Sequence, residues 1–145
     1  MKKYRRGIFA VVYRIKNNKI EYLILKRKLH WKGFEFPKGG LKFLEPKILG
    51  VKREVKEETG LKILKIKKYN VLGFYDYNKK LKDRKNMIGQ EFSLYSVMVE
   101  DGEVKLDNLE HESYEWCDFK KALKKLTWEN QKQCLIILNE ELTKN

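Results

Sequence analysis

The side chains best placed to do chemistry are three glutamates close together in the chain. On an ideal helix turning about 100° per residue, Glu54, Glu57 and Glu58 fall at about 0°, 300° and 40°, so their carboxylates share one sector of about 100°. Like charges at that spacing repel by about a few tenths of a kcal/mol per pair. A hard divalent cation removes the repulsion, because Mg²⁺ takes carboxylate oxygens, keeps several waters and binds substrate phosphates. Arg53, four residues before Glu57, is spaced to pair with it or with the upstream Glu45 and so to hold the carboxylates in position. The alternative is a charged, solvent-facing helix in which Arg53 and Lys56 balance the glutamates.

The elements that must position these groups can be read from pattern. Residues 4–16 are rich in β-branched and aromatic types, Asn17-Asn18 is turn material, and Ile20 to Lys26 resumes as apolar, which predicts a β-hairpin. Phe34-Glu35-Phe36 alternates like a short strand, stops at Pro37 and opens into Gly39-Gly40. Pro46 suits a first helical turn and Thr59-Gly60 an end, with Ile48, Val51 and Val55 on one face between them. Residues 61–77 read as extended, 78–86 as a charged loop and 91–99 as a strand, and Asp101-Gly102 marks a turn. Helical segments follow from Phe119 and over Trp128 to Leu142, where Leu135, Ile136 and Leu138 recur at helical spacing. The order predicts an α+β fold, or a mixed sheet between helices, in a single domain over 1–145.

Composition narrows the class of partner. With 42 % apolar and 12 % aromatic residues the chain can bury a core, so a disordered chain is excluded. Lys plus Arg is 33 against 20 for Asp plus Glu, a net +13 that favours anionic partners such as nucleotides, RNA or an acidic membrane surface, the alternative being a solvated lysine-rich face. Cys117 and Cys134 have no metal-ligand spacing and are too few for a disulfide framework, so both are expected to be packing residues in a reducing, cytoplasmic setting. The basic start followed by Gly7 to Tyr13 imitates a leader, but Arg14 interrupts the apolar run and a strand is expected there. No stretch is apolar over the roughly 20 residues that a bilayer requires, so no membrane partner is expected.

The glutamates lie within a longer pattern. Gly39 is followed six residues later by Glu45, and then come Arg53-Glu54-Val55-Lys56-Glu57-Glu58-Thr59-Gly60-Leu61. This resembles the signature of the Nudix hydrolases at every fixed position. With seven fixed types at roughly 5–10 % usage each, chance agreement is on the order of 10⁻⁸ per starting point. The resemblance implies a Nudix-type α/β/α sandwich with a mixed β-sheet between helices, and hydrolysis of a nucleoside diphosphate linked to another moiety. By position it implies Glu54, Glu57 and Glu58 as metal ligands, Arg53 and Glu45 as their braces, and the Lys38 carbonyl as a further ligand. The implied cofactor is Mg²⁺ or Mn²⁺, and the implied mechanism is in-line attack on phosphorus by a metal-activated water. Gly50 departs from the family's usual alanine. On the carboxylate face it costs up to about 1 kcal/mol relative to Ala, and small size is what the position needs.

Outside the box, Trp31 to Gly40 and Glu110-His111-Glu112-Ser113-Tyr114-Glu115-Trp116 are similar to the asymmetrically cleaving diadenosine tetraphosphate hydrolases. That similarity implies Glu110 as an additional catalytic carboxylate, ligand or general base, and tyrosines that stack adenine. His111 is a candidate phosphate contact or a hydrogen-bonded structural histidine. Lys38 and Lys42 flank the Gly loop, where an ammonium can meet phosphate, although Lys42 is as readily a solvated side chain. Tyr77 and Tyr114 are candidates for base stacking or for core packing. Met87 to Phe92 also resembles the RNA pyrophosphohydrolases, so a 5′-triphosphorylated RNA is the second substrate class; ADP-ribose and nucleoside triphosphates are also compatible with the box.

Overall fold

The computed structural model describes residues 3–76 and 87–144. Strands β1 (Lys3–Lys16) and β2 (Lys19–Arg27) form the predicted hairpin, with Tyr13 opposite Tyr22 and Lys16 opposite Lys19. Asn17 and Asn18 have φ of 52° and 62°, the paired positive values of the two-residue turn whose twist matches its strands, and Asn tolerates that region better than most residues. Then come β3 (Gly33–Glu35), β4 (Lys38–Gly40), helix α1 (Lys47–Thr59), β5 (Ile63–Asp76), β6 (Met87–Val99), β7 (His111–Cys117), α2 (Phe119–Lys125) and α3 (Glu129–Thr143). The sheet runs β3-β2-β1-β6-β5, with β4 paired to β1 and β7 to β2. Its β1–β6 ladder is parallel and the other pairings are antiparallel, so the sheet is mixed.

The two-residue period of β1 sorts its side chains between two cores. Phe9, Val11 and Tyr13, with Tyr22, Ile24 and Leu94, pack toward Ala122, Leu126, Cys134, Leu135 and Leu138 of the α2–α3 side. Ile8, Ala10 and Val12, with Leu23, Leu25, Tyr95 and Val97, pack toward Val51 and Val55 of α1. Burying each of those valines contributes about 1.5–3 kcal/mol. The result is the expected α/β/α sandwich. Cys117 and Cys134 are buried free thiols, as expected of packing residues.

Several elements differ from pattern. Ile48 is 41 % exposed, so the buried stripe of α1 is Val51 and Val55 without it. Ile136 also faces solvent, and Cys134 takes its place beside Leu135 and Leu138. Pro46 is the extended residue before α1 rather than its first turn, and Gly60, at φ 69°, ends the helix by donating its N–H to the Lys56 carbonyl. β7 has no clear apolar alternation; it is a strand because β2 offers it a ladder from Tyr22–Cys117 to Arg27–His111. Among the described residues, no helix is long and apolar enough to cross a membrane.

Candidate active site

The site forms where the loop before α1, one face of α1 and the start of β7 meet. Arg53 organises the first two. Its Nε and Nη2 donate to the two carboxylate oxygens of Glu45 at 2.8 and 2.9 Å, Nη2 also to the Gly40 carbonyl at 3.0 Å, and Nη1 to Glu54 at 2.7 Å and Glu57 at 3.3 Å. The bidentate Glu45 pairing fixes the plane of the guanidinium, which a lysine in its place could not do. Glu45 also accepts from the Lys42 backbone N–H at 3.0 Å. Hydrogen bonds from Arg53 and then from Lys42 hold the Glu45 carboxyl down at about 2, against its partial burial. The same Glu45 contacts push the Arg53 pKa further up, against the cost of burying the guanidinium.

Glu54 and Glu58 turn inward while Glu57 stays exposed. Residue 39 must be glycine-sized, since a Cβ there would strike the Glu54 carboxylate. Burial raises the Glu54 carboxyl to about 7 even though Arg53 pulls it down. Burial also lifts Glu58 well above the carboxylate range, and the neighbouring Glu54, Glu35 and Glu110 add to the rise. One Glu58 oxygen accepts from the Lys38 backbone N–H at 3.2 Å; the other, Oε1, is buried with no hydrogen-bond donor. A proton on the raised Glu58 carboxyl is shared with Glu110, the one neighbour that favours the neutral acid by a hydrogen bond.

The third wall comes from β7. The backbone carbonyl of Glu110 accepts from the N–H groups of Lys28 and Leu29 at 2.9 and 3.4 Å, which anchors the turn. A register shift between Lys26 and Arg27 makes Glu112 an extra residue in the ladder, so Tyr114 and His111 face the same side, that of α1. Ligand atoms of Glu58, Glu110 and His111 lie within 4.8 Å of one another. Among the described residues, six carboxylates (Glu35, Glu45, Glu54, Glu57, Glu58 and Glu110) meet four cationic side chains (Arg27, Arg53, Lys38 and Lys42), in a chain whose net charge is +13. This donor set of hard oxygens, with a buried orphan acceptor among them, fits a divalent cation.

The structure thus gathers Glu45, Arg53, Glu54, Glu57, Glu58, Glu110, His111 and the Lys38 backbone into one region. Lys38 meets Glu58 through its N–H, and its ammonium turns back to Glu35 at 3.6 Å. The Lys42 side chain is exposed, and Tyr114 is 41 % exposed, so of its two expected roles core packing is set aside. His111 is buried and hydrogen-bonded, as the structural alternative requires. Tyr77 and the charged loop 78–86 lie outside the described residues. Gly50 is buried beside the loop, and a Cβ on it would strike the Leu41 side chain, so alanine is not the free gain that helix propensity implies.

Glu35 and Arg27 are site residues that sequence reasoning missed. Glu35 is fully buried, accepting from Arg27 Nη1 at 3.0 Å and facing His111 Nε2 at 2.7 Å. Burial alone would raise its carboxyl, but Lys38, the His111 hydrogen bond and Arg27 outweigh it and hold the group at about 2. The available signal is a lone charge between Phe34 and Phe36 with a basic residue on the neighbouring strand.

The sequence matches the NUDIX domain family over residues 3–136. Among solved structures, a Caenorhabditis elegans Ap4A hydrolase in a binary complex superposes with a TM-score of 0.79 at 21 % identity, covering 95 % of this chain and 97 % of that one. The NUDIX domain of Shewanella oneidensis NrtR, complexed with ADP ribose, gives 0.79 at 14 % identity, covering 99 % and 91 %. The Escherichia coli dihydroneopterin triphosphate pyrophosphohydrolase gives 0.74 at 18 %, covering 92 % and 95 %. No curated protein matches in sequence. Identities this low carry the fold alone, whereas the family match spans nearly the whole chain: the protein belongs to the NUDIX family.

Proposed function

We propose that the protein is a metal-dependent hydrolase of a phosphoanhydride bond in nucleoside polyphosphates, and that its substrate is diadenosine tetraphosphate, cut asymmetrically to ATP and AMP. The observation that carries the hydrolase reading is the convergence of ligand atoms of Glu58, Glu110 and His111 within 4.8 Å of one another, in a cluster with more carboxylates than cations. Glu54, Glu57, Glu58 and Glu110 would hold Mg²⁺ or Mn²⁺, with the Lys38 main chain alongside. When bound, the ion supplies charge neutralisation for the polyphosphate and a lower pKa for a coordinated water.

The chain's own residues do the rest. Arg53 and Glu45 lock the loop to α1 so that the carboxylates keep their spacing without substrate, which lowers the reorganisation needed at reaction. Glu110, half-buried on an anchored turn, is the base that takes a proton from the attacking water. Lys42 offers an exposed ammonium to the outer phosphates. Exposed Tyr114, on the face of β7 that carries His111, stacks one adenine, for about 1–3 kcal/mol by analogy with single-strand binding. Clamping one adenosine fixes the distance from it to the attacked phosphorus, which is what makes the cut asymmetric.

A substrate panel resolved by chromatography tests this reading: diadenosine tetraphosphate, ADP-ribose, nucleoside triphosphates and 5′-triphosphorylated RNA, each with Mg²⁺ and with Mn²⁺. The dinucleotide is expected to give the highest kcat/KM. A hundredfold preference for the RNA would reassign the substrate, and turnover of none of the four would overturn the hydrolase reading.

A further inference from the structure

His111 presents the site with an atom that hydrolysis by carboxylates alone does not need. The residue is fully buried, and its Nε2 lies 2.7 Å from Glu35 Oε2. Glu35 sits between two cations, with Arg27 Nη1 at 3.0 Å and Lys38 Nζ at 3.6 Å, so it is ionised and can only accept. The proton of that hydrogen bond therefore belongs to His111 Nε2. In the neutral ring the lone pair is then on Nδ1, and Nδ1 is buried with no hydrogen-bond partner.

This bare nitrogen is not isolated. A ligand atom of His111 and one each of Glu58 and Glu110 lie within 4.8 Å of one another, and Glu58 Oε1 is a second buried acceptor without a donor. An imidazole nitrogen and two carboxylates converging in this way offer three donor atoms to one cation. Metal–ligand bonds of about 2.0–2.2 Å place two ligands of one ion at most about 4.4 Å apart, so no pair has more than about half an ångström to close. The backbone needs no rearrangement for this, because the Glu112 bulge already aims His111 toward α1 and the Glu110 carbonyl is held by Lys28 and Leu29.

We infer that His111 Nδ1, Glu58 and Glu110 form a mixed nitrogen–oxygen site for a first-row transition-metal dication such as Mn²⁺, with Glu35 as the outer carboxylate that fixes the imidazole tautomer. Mn²⁺, like Mg²⁺, takes carboxylate oxygen and water, but as a transition-metal ion it also accepts an imidazole nitrogen that the harder, octahedrally hydrated Mg²⁺ leaves unused, so the nitrogen is what makes the site discriminate between them. Carboxylate–histidine–metal arrangements depend on the outer carboxylate, whose loss typically weakens metal binding 10–100-fold. The inference rests on the metal-dependent reading above and adds the ligand that selects the metal.

The test is pulsed electron paramagnetic resonance of Mn²⁺ bound to the metal-stripped wild-type protein, prepared with natural-abundance and with ¹⁵N-labelled histidine, alongside calorimetric titration with Mn²⁺ and Mg²⁺. A directly coordinated histidine nitrogen is expected, its coupling changing with the label. His111→Gln should abolish the coupling and weaken Mn²⁺ at least tenfold while leaving Mg²⁺ affinity within about twofold; Glu35→Gln should weaken Mn²⁺ 10–100-fold. Mn²⁺ bound with oxygen coupling alone overturns the assignment of His111 and leaves the hydrolase reading standing. Absence of any Mn²⁺ or Mg²⁺ binding by the wild type overturns both. The wild-type spectrum decides the matter even where a buried substitution fails to fold.

Discussion

Without metal, the buried carboxylates of α1 should make the protein less stable at pH 8 than at pH 5. Glu54 titrates at about 7 in the fold, above the ordinary carboxylate value of 4.5, because burial disfavours its ionised form. Between those values the folded protein keeps a proton that the unfolded chain releases, so stability falls as pH rises through the window. Each tenfold change in proton affinity is worth about 1.36 kcal/mol, so ionising Glu54 costs the fold about 3 kcal/mol by pH 8. Glu58, raised by burial and by three neighbouring carboxylates, acts with the same sign and deepens the decline. Glu35 and Glu45, both held at about 2, have the opposite sign: their stabilisation is present above the unfolded value and is lost as pH falls toward 2. Metal-free stability should therefore peak near about pH 5. Urea denaturation in a chelator, at pH 5 and pH 8, measures the difference directly, and 3 kcal/mol corresponds to roughly 6–12 °C in Tm for a chain of this size. Glu54→Gln should remove about that part of the drop, and Mn²⁺ should restore stability at pH 8 more than at pH 5. Equal stability at the two pH values, or a drop undiminished in Glu54→Gln, would refute the reasoning.

Three substitutions test other parts of the site. Glu57→Gln should cost turnover about a hundredfold or more, as loss of several kcal/mol of metal-borne stabilisation implies, yet leave metal-free Tm unchanged because the side chain is 52 % exposed; near-normal turnover would remove Glu57 from the metal site. Leu44 holds φ 59° while 79 % exposed, so Leu44→Gly should relieve about 1–2 kcal/mol of left-handed strain against about 0.5–1 kcal/mol of glycine entropy, raising Tm slightly where Leu44→Ala does not. Gly50→Ala should stay within about 0.5 kcal/mol of wild type, since the helix gain is offset by the Leu41 contact; Gly50→Leu, which must also crowd Glu45, should lower activity further, and equal activity in the two variants would place Gly50 away from the chemistry.

The most legible part of the molecule was the helix that carries the chemistry. Gly60 and the 54-57-58 spacing each had a local cause, a left-handed cap and a shared helical face, and both causes operate in the fold. What escaped was long-range. Nothing local marks Glu35, between two phenylalanines, as buried, and the arrival of Arg27, Lys38 and His111 makes its burial tolerable. β7 is a strand because β2 has an edge to fill, and no period within His111 to Cys117 says so. Ile48 and Ile136 are exposed although helical spacing groups them with the apolar residues, because burial is decided by what packs on the helix and not by the spacing alone.

The central claim is that this cluster hydrolyses a phosphoanhydride, and product analysis of diadenosine tetraphosphate cleavage in heavy-oxygen water tests it most directly. With Mg²⁺ or Mn²⁺ present, the account predicts ATP and AMP, one heavy oxygen on a terminal phosphate of one product only, and no reaction in chelator or in Glu58→Gln. Two molecules of ADP would contradict the asymmetric cut, and full turnover in Glu58→Gln would contradict the assignment of the site itself.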